Sequence, residues 1–128
     1  MTTPLWCLAI VACLPFPCAW LAGYFRYRQF GTVDNKNPRR QQALLEGAGA
    51  RAQAAQANAW EALPFFTAGV LVSHLAGADP RKTALFSMAF VATRILHPIA
   101  YVADLDAIRS LVFVVGLACV VGLFVISA

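Results

Sequence analysis

Apolar residues fall in four long blocks, about Leu5–Phe25, Ala43–Ala76, Ala84–Val102 and Ile108–Ile126, with short polar stretches between them. A helix needs about 20 apolar residues to cross the hydrocarbon core of a bilayer, so four crossings use nearly the whole chain. Only helices and closed barrels satisfy their own backbone in lipid, and a barrel would show short alternating segments instead. The pattern predicts an all-α integral membrane protein, a single four-helix bundle domain over residues 1–128 with helices at about 4–30, 38–75, 80–102 and 105–127.

Punctuation within the pattern refines these elements. Pro15 and Pro17 each remove a backbone donor inside the first helix and predict a kink there. Gly31 to Pro38 is the one clear loop, and Asn37 before Pro38 reads as a helix cap. The second helix has no breaker before Pro64 and is predicted to run unbroken to about residue 75, a length of roughly 50 Å. Its middle is dense in alanine and glycine, which lets helices approach closely in lipid. Asp79 is the expected cap of the third helix, and Asp104-Leu105-Asp106 makes a short turn into the fourth. Met1-Thr2-Thr3-Pro4 has no positive side chain and the apolar run after it is long, so a retained first helix is expected rather than a cleaved signal.

Composition agrees: 60% of the 128 residues are hydrophobic and 12% charged, about half the charged share of a soluble domain. The net charge of +4 is concentrated at Arg26, Arg28, Lys36, Arg39 and Arg40 around the first loop. By the positive-inside rule that loop is cytoplasmic and both termini lie on the opposite side. The basic loop would also attract an anionic ligand or a lipid headgroup, and nothing resembles a nucleic-acid site. Cys7, Cys13, Cys18 and Cys119 lie in apolar helix, with no spacing that would hold a metal, and read as small hydrophobes.

Against this background the polar residues at membrane depth carry the chemistry, since each costs about 2.5–3.5 kcal/mol on insertion scales. Arg51, Asn58 and Glu61 lie on neighbouring stripes of the second helix, and Arg94, His97 and Tyr101 share a face of the third. Two readings fit this spacing: a ligand pocket, or an ion-pair network such as Glu61 with Arg94 or Arg51 that only locks helices together. Arg109-Ser110, at the start of the fourth helix, is more pointed. A cation there opposes the helix dipole, yet with the backbone donors it suits an anion, a thiolate or a carboxylate. The competing reading is an arginine snorkelling to the headgroups.

At these residues the chain resembles a known family. Arg51, Asn58, Glu61, Pro64 and Phe66, in that spacing, resemble the second-helix signature of the MAPEG family, the membrane-associated proteins in eicosanoid and glutathione metabolism. Arg94, His97 and Tyr101 are similar to the third helix of its prostaglandin E synthase branch, and Ile108-Arg109-Ser110 to the start of the fourth. The segment Asp34 to Arg39 is similar to bacterial members, which points to a bacterial inner membrane. The resemblance implies a homotrimer that binds glutathione between subunits toward the cytoplasmic side, and a hydrophobic small-molecule substrate entering from the membrane lipids. It assigns ligand binding to Arg26, Arg51, Asn58, Glu61, Arg94, His97 and Tyr101, thiolate stabilisation to Arg109, and a supporting hydrogen bond to Ser110.

The chain also departs from the pattern. The family's eicosanoid synthases have an arginine where this chain has Ala54, the prostaglandin branch has another at Ala57, and a tyrosine at Phe113. The activity that the resemblance implies is a glutathione-dependent transferase or peroxidase acting on a hydrophobic electrophile. Its alternative is a non-catalytic trimeric scaffold, or a lipid- or thiol-binding protein, of the same family. A small transporter would suit the intramembrane charges but lacks broken helices and internal repeats.

Overall fold

The computed structural model describes residues 1–128 as six helical segments without a strand: α1 (Thr3–Cys13), α2 (Pro15–Phe30), α3 (Pro38–Ala43), α4 (Gly47–Leu75), α5 (Pro80–Val102) and α6 (Asp106–Val125). Three stretches are long and apolar enough to cross a membrane: Thr3–Phe30, Pro80–Val102 and Asp106–Val125. α4 has the length, but Arg51, Gln53, Gln56, Asn58 and Glu61 dilute its hydropathy.

α1 and α2 form one rod interrupted at Leu14. Pro15 has no N–H to offer Val11, and the Leu14 N–H reaches the Val11 carbonyl at 3.2 Å instead. The prolines therefore interrupt the helix at Leu14, which keeps right-handed helical dihedrals. At the other end of the rod, Gly31 takes the left-handed conformation that closes a helix.

The helix expected over residues 38–75 is not continuous. It stops at Ala43, and α4 starts at Gly47, whose φ of +53° is left-handed and favours glycine. A side chain bridges the gap: Gln29 Nε2 donates to the Leu44 carbonyl at 2.9 Å, and its Oε1 accepts from the Glu46 N–H at 3.0 Å. The break is thus stabilised from another element, which no local pattern announces. The Asn37 cap is also corrected, because its side chain caps nothing. Asp34 instead closes the turn that leads into the helix, its Oδ1 accepting from the Lys36 and Asn37 N–H groups at 2.9 Å each. Asp79 caps α5 as expected, accepting from the Arg81 and Lys82 N–H groups.

α5 and α6 form a tight hairpin, and α4 packs along both, with α1 against α4 and α5 and α2 against α4. The core centres on Phe66 and Phe90, stacked at 4.2 Å, among Val11, Val70, Val120 and Leu123. All four cysteines are free. Large apolar side chains such as Trp20, Leu75, Leu111 and Val125 point outward, the arrangement of a bundle surrounded by lipid or by other subunits.

Candidate functional site

The predicted polar face of α5 points inward, with Arg94 and His97 both buried. The Arg94 guanidinium ties three helices together. Its Nη1 donates to Asn58 Oδ1 on α4 at 3.1 Å, and its Nη2 donates to the Val112 carbonyl on α6 at 3.4 Å. It lies 5.3 Å from the centre of the Phe90 ring and 5.8 Å from that of Phe113. Gly116 makes the space: a Cβ there would fall 2.8 Å from both Arg94 Nη2 and Thr93 Oγ1.

No carboxylate compensates this charge. The one ion pair in the molecule joins Arg51 to Asp104 at 3.7 Å, so neither of the Glu61 pairs considered from spacing forms. Arg51 also donates to the Val102 carbonyl at 3.3 Å, fastening α4 to the α5–α6 turn.

Beside Arg94 a cavity of about 290 Å³ opens between α4, α5 and α6. Asn58, Glu61 and Arg94 supply its polar wall, and Phe65, Phe113 and Leu117 much of the apolar one. Arginine can only donate, so its bond to Asn58 Oδ1 leaves the Asn58 amide N–H groups free for the cavity. Glu61, one turn along, is exposed and without an ion-pair partner. A donor and an acceptor therefore stand side by side on α4. His97 lies across Arg94 from this space, in a crevice of about 10 Å³ against Val11 of α1 and Leu14 at the break after it. Its ring meets Tyr101 edge-on at 5.6 Å and Phe113 at 6.4 Å.

Arg109 is half-buried, with its guanidinium 4.5 Å from the centre of the Tyr101 ring. No carboxylate lies within ion-pair distance of it. Phe113, one turn further along α6 on the same face, is part of the cavity wall. Ser110 is exposed.

Arg26 does something other than line the cavity. It is buried near the end of α2, where Nε donates to Gln41 Oε1 at 2.9 Å and Nη2 to the Asp34 carbonyl at 3.2 Å. Gln41 in turn accepts from the Asp34 N–H at 3.0 Å and donates to the Thr32 carbonyl at 2.9 Å. Replacing Gln41 by Ala leaves these buried groups unsatisfied, a cost of about 1–3 kcal/mol. Tryptic cleavage at Arg39 and Arg40 should then accelerate about tenfold, since local opening controls access. Unchanged cleavage would mean the clip contributes nothing.

The structure thus brings Asn58, Glu61 and Arg94 to one cavity, leaves His97 in the crevice beside it and the Arg109–Tyr101 pair outside its lining, and engages Arg26 and Arg51 elsewhere. Gly116 and Gln41 were not singled out from sequence. The only signals were a glycine inside an uninterrupted apolar helix and a glutamine in a basic run.

A family model described as the MAPEG family matches residues 3–128. No curated protein and no solved structure matches the chain.

Proposed function

The chain belongs to the MAPEG family, and from that membership we propose that it is a glutathione-dependent membrane transferase or peroxidase whose substrate is a hydrophobic electrophile. In this reading α4 is the fourth crossing of a four-helix protomer, three protomers assemble, and the basic first loop faces the cytoplasm of a bacterial cell. The observation that carries it is the Arg109 guanidinium, stacked on Tyr101 without a carboxylate partner, one turn from the cavity wall.

The residues fit a thiol peptide at its amide and its sulfur. The free Asn58 N–H groups and the Glu61 carboxylate match the C=O and N–H of a peptide unit. Tyr101 and His97 stand behind Phe113 of the wall, and Arg94 holds Asn58 in its donating orientation. Glu61 and Ser110 are exposed in the protomer and the cavity opens outward, which supports a site completed by a neighbouring subunit. Glutathione supplies a sulfur nucleophile, active as the thiolate. Arg109 stabilises that negative charge, Ser110 donates a hydrogen bond to it, and the proton leaves to solvent. In conjugation an S–C bond forms at the electrophile while the electron pair of the broken bond departs with the leaving atom. The apolar wall of Phe65, Phe113 and Leu117 keeps water from the electrophile.

Titrating glutathione into the detergent-purified protein while following ultraviolet thiolate absorbance tests the reading. Saturable binding with a thiolate signal near neutral pH is expected, and Asn58→Ala should weaken binding about tenfold, as loss of a buried hydrogen bond does. Absence of saturable binding by a folded protein would rule out the thiol.

A non-catalytic scaffold or lipid-binding role is the second reading. The commitment of Arg26 and Arg51 to structural contacts favours it, as do the alanines at 54 and 57, since all four positions withhold cations from a ligand's carboxylates.

A further inference from the structure

The first loop and its flanks carry cations to which the fold gives no carboxylate partner. Arg28 ends α2, Lys36 sits in the turn, and Arg39 and Arg40 lie on α3, all exposed and none within ion-pair distance of a carboxylate. Between residues 26 and 60 the only acids are Asp34 and Glu46. Asp34 faces its own backbone: the Asn37 and Lys36 N–H groups bind its carboxylate and hold its carboxyl below the ordinary carboxylate range. It is bound by its own backbone and forms no ion pair with these cations.

This arrangement is held in place. Arg26 and Gln41 clip the loop to the end of α2, and Gln29 clips the start of α4. Gln41 is buried while Arg39 and Arg40, just before it on α3, are exposed, so the clip fixes which side of α3 the cations occupy. On α2, beside Arg28, Tyr24 and Tyr27 are 52% and 60% exposed, and Arg28 donates to the Tyr24 hydroxyl at 3.2 Å. Exposed tyrosines mark the depth of the headgroups in membrane proteins. Cations without a carboxylate partner, on a clipped backbone, therefore sit at the level where lipid phosphates lie.

We propose that this face binds anionic phospholipids of the leaflet it meets, in preference to zwitterionic ones. A soluble anion fits less well, because the cations are spread along an outer rim and line neither cavity described above. Each Lys or Arg near an anionic bilayer surface contributes a factor on the order of five to binding. The inference is independent of whether the intramembrane site turns over a thiol.

The test reconstitutes the full chain in phosphatidylcholine vesicles containing phosphatidylglycerol and measures the lipids retained after gentle extraction, by native mass spectrometry. Wild type should retain phosphatidylglycerol at least tenfold above its share, less so at high salt. Lys36→Ala/Arg39→Ala/Arg40→Ala should lose the preference with assembly unchanged, whereas Arg81→Ala/Lys82→Ala, at the opposite end, should keep it. Equal retention of both lipids by wild type would overturn the proposal, as would a preference untouched by the triple substitution. Displacement of the lipid by millimolar inorganic phosphate would also overturn it, revealing a soluble-anion site. If the triple variant fails to assemble, Arg40→Gln and the salt series on wild type decide: a salt-insensitive preference ends the idea.

Discussion

Arg109→Ala should lower thiol transfer by about a hundredfold, the usual loss when one preorganised stabiliser of developing charge is removed. The expectation rests on what Arg109 touches: one face of its guanidinium lies on Tyr101, and no acid neutralises it. A cation beside a bound thiol favours the charged sulfur, so its loss raises the thiol's pKa and moves the pH–rate profile to higher pH. The fall should appear in kcat more than in KM, because the interaction strengthens as charge develops. Arg109→Lys should recover part of the rate, since it restores the charge without the planar fork. Thiolate absorbance of the bound peptide, followed across pH in wild type and variant, checks the mechanism directly. Equal turnover with superimposable profiles would remove Arg109 from the chemistry.

The largest structural effect is expected from Gly116→Val. Its Cβ alone would stand 2.8 Å from Arg94 Nη2 and Thr93 Oγ1, and the methyl groups add further conflict. Overpacking of this kind costs about 1–3 kcal/mol. Expelling the guanidinium also leaves Asn58 Oδ1 and the Val112 carbonyl without their donor, adding a similar amount. Thermal unfolding in detergent should show a clear drop in midpoint, with Gly116→Ala intermediate because the flexible end of Arg94 can yield. The surviving folded fraction of Gly116→Val should bind glutathione more weakly, its Asn58 amide now free to rotate. A midpoint like that of wild type would mean that Arg94 does not depend on this gap.

Most of the helical framework was legible because lipid imposes length and apolarity on each crossing. α5 and α6 lie where the apolar blocks put them, Asp79 caps α5, and Pro15 breaks the first rod. The break before Gly47 was hidden, because Leu44–Glu46 contains no proline or turn cluster and its partner, Gln29, comes from another helix. For the candidate site, helical spacing was enough to place Arg94 and His97 on one buried face. Partners were not legible. Spacing could not say that Arg51 would turn to Asp104, that Arg26 would hold the loop, or that Glu61 would stay unpaired. Those choices depend on how α4 sits against the α5–α6 turn.

The missing backbone bond at Pro15 separates two mechanical regimes. Arg94 ties α4, α5 and α6 together from within. α2, by contrast, is joined to α1 at a point of reduced stiffness and leans chiefly on α4. Bilayers differ in thickness by several ångströms, and helices meet the difference by tilting. Here α2 leans on α4 and Gln29 ties it to the start of that helix, so a change of tilt at the Pro15 break is passed to the wall that carries Asn58 and Glu61, and the cavity feels the thickness of the membrane that holds it.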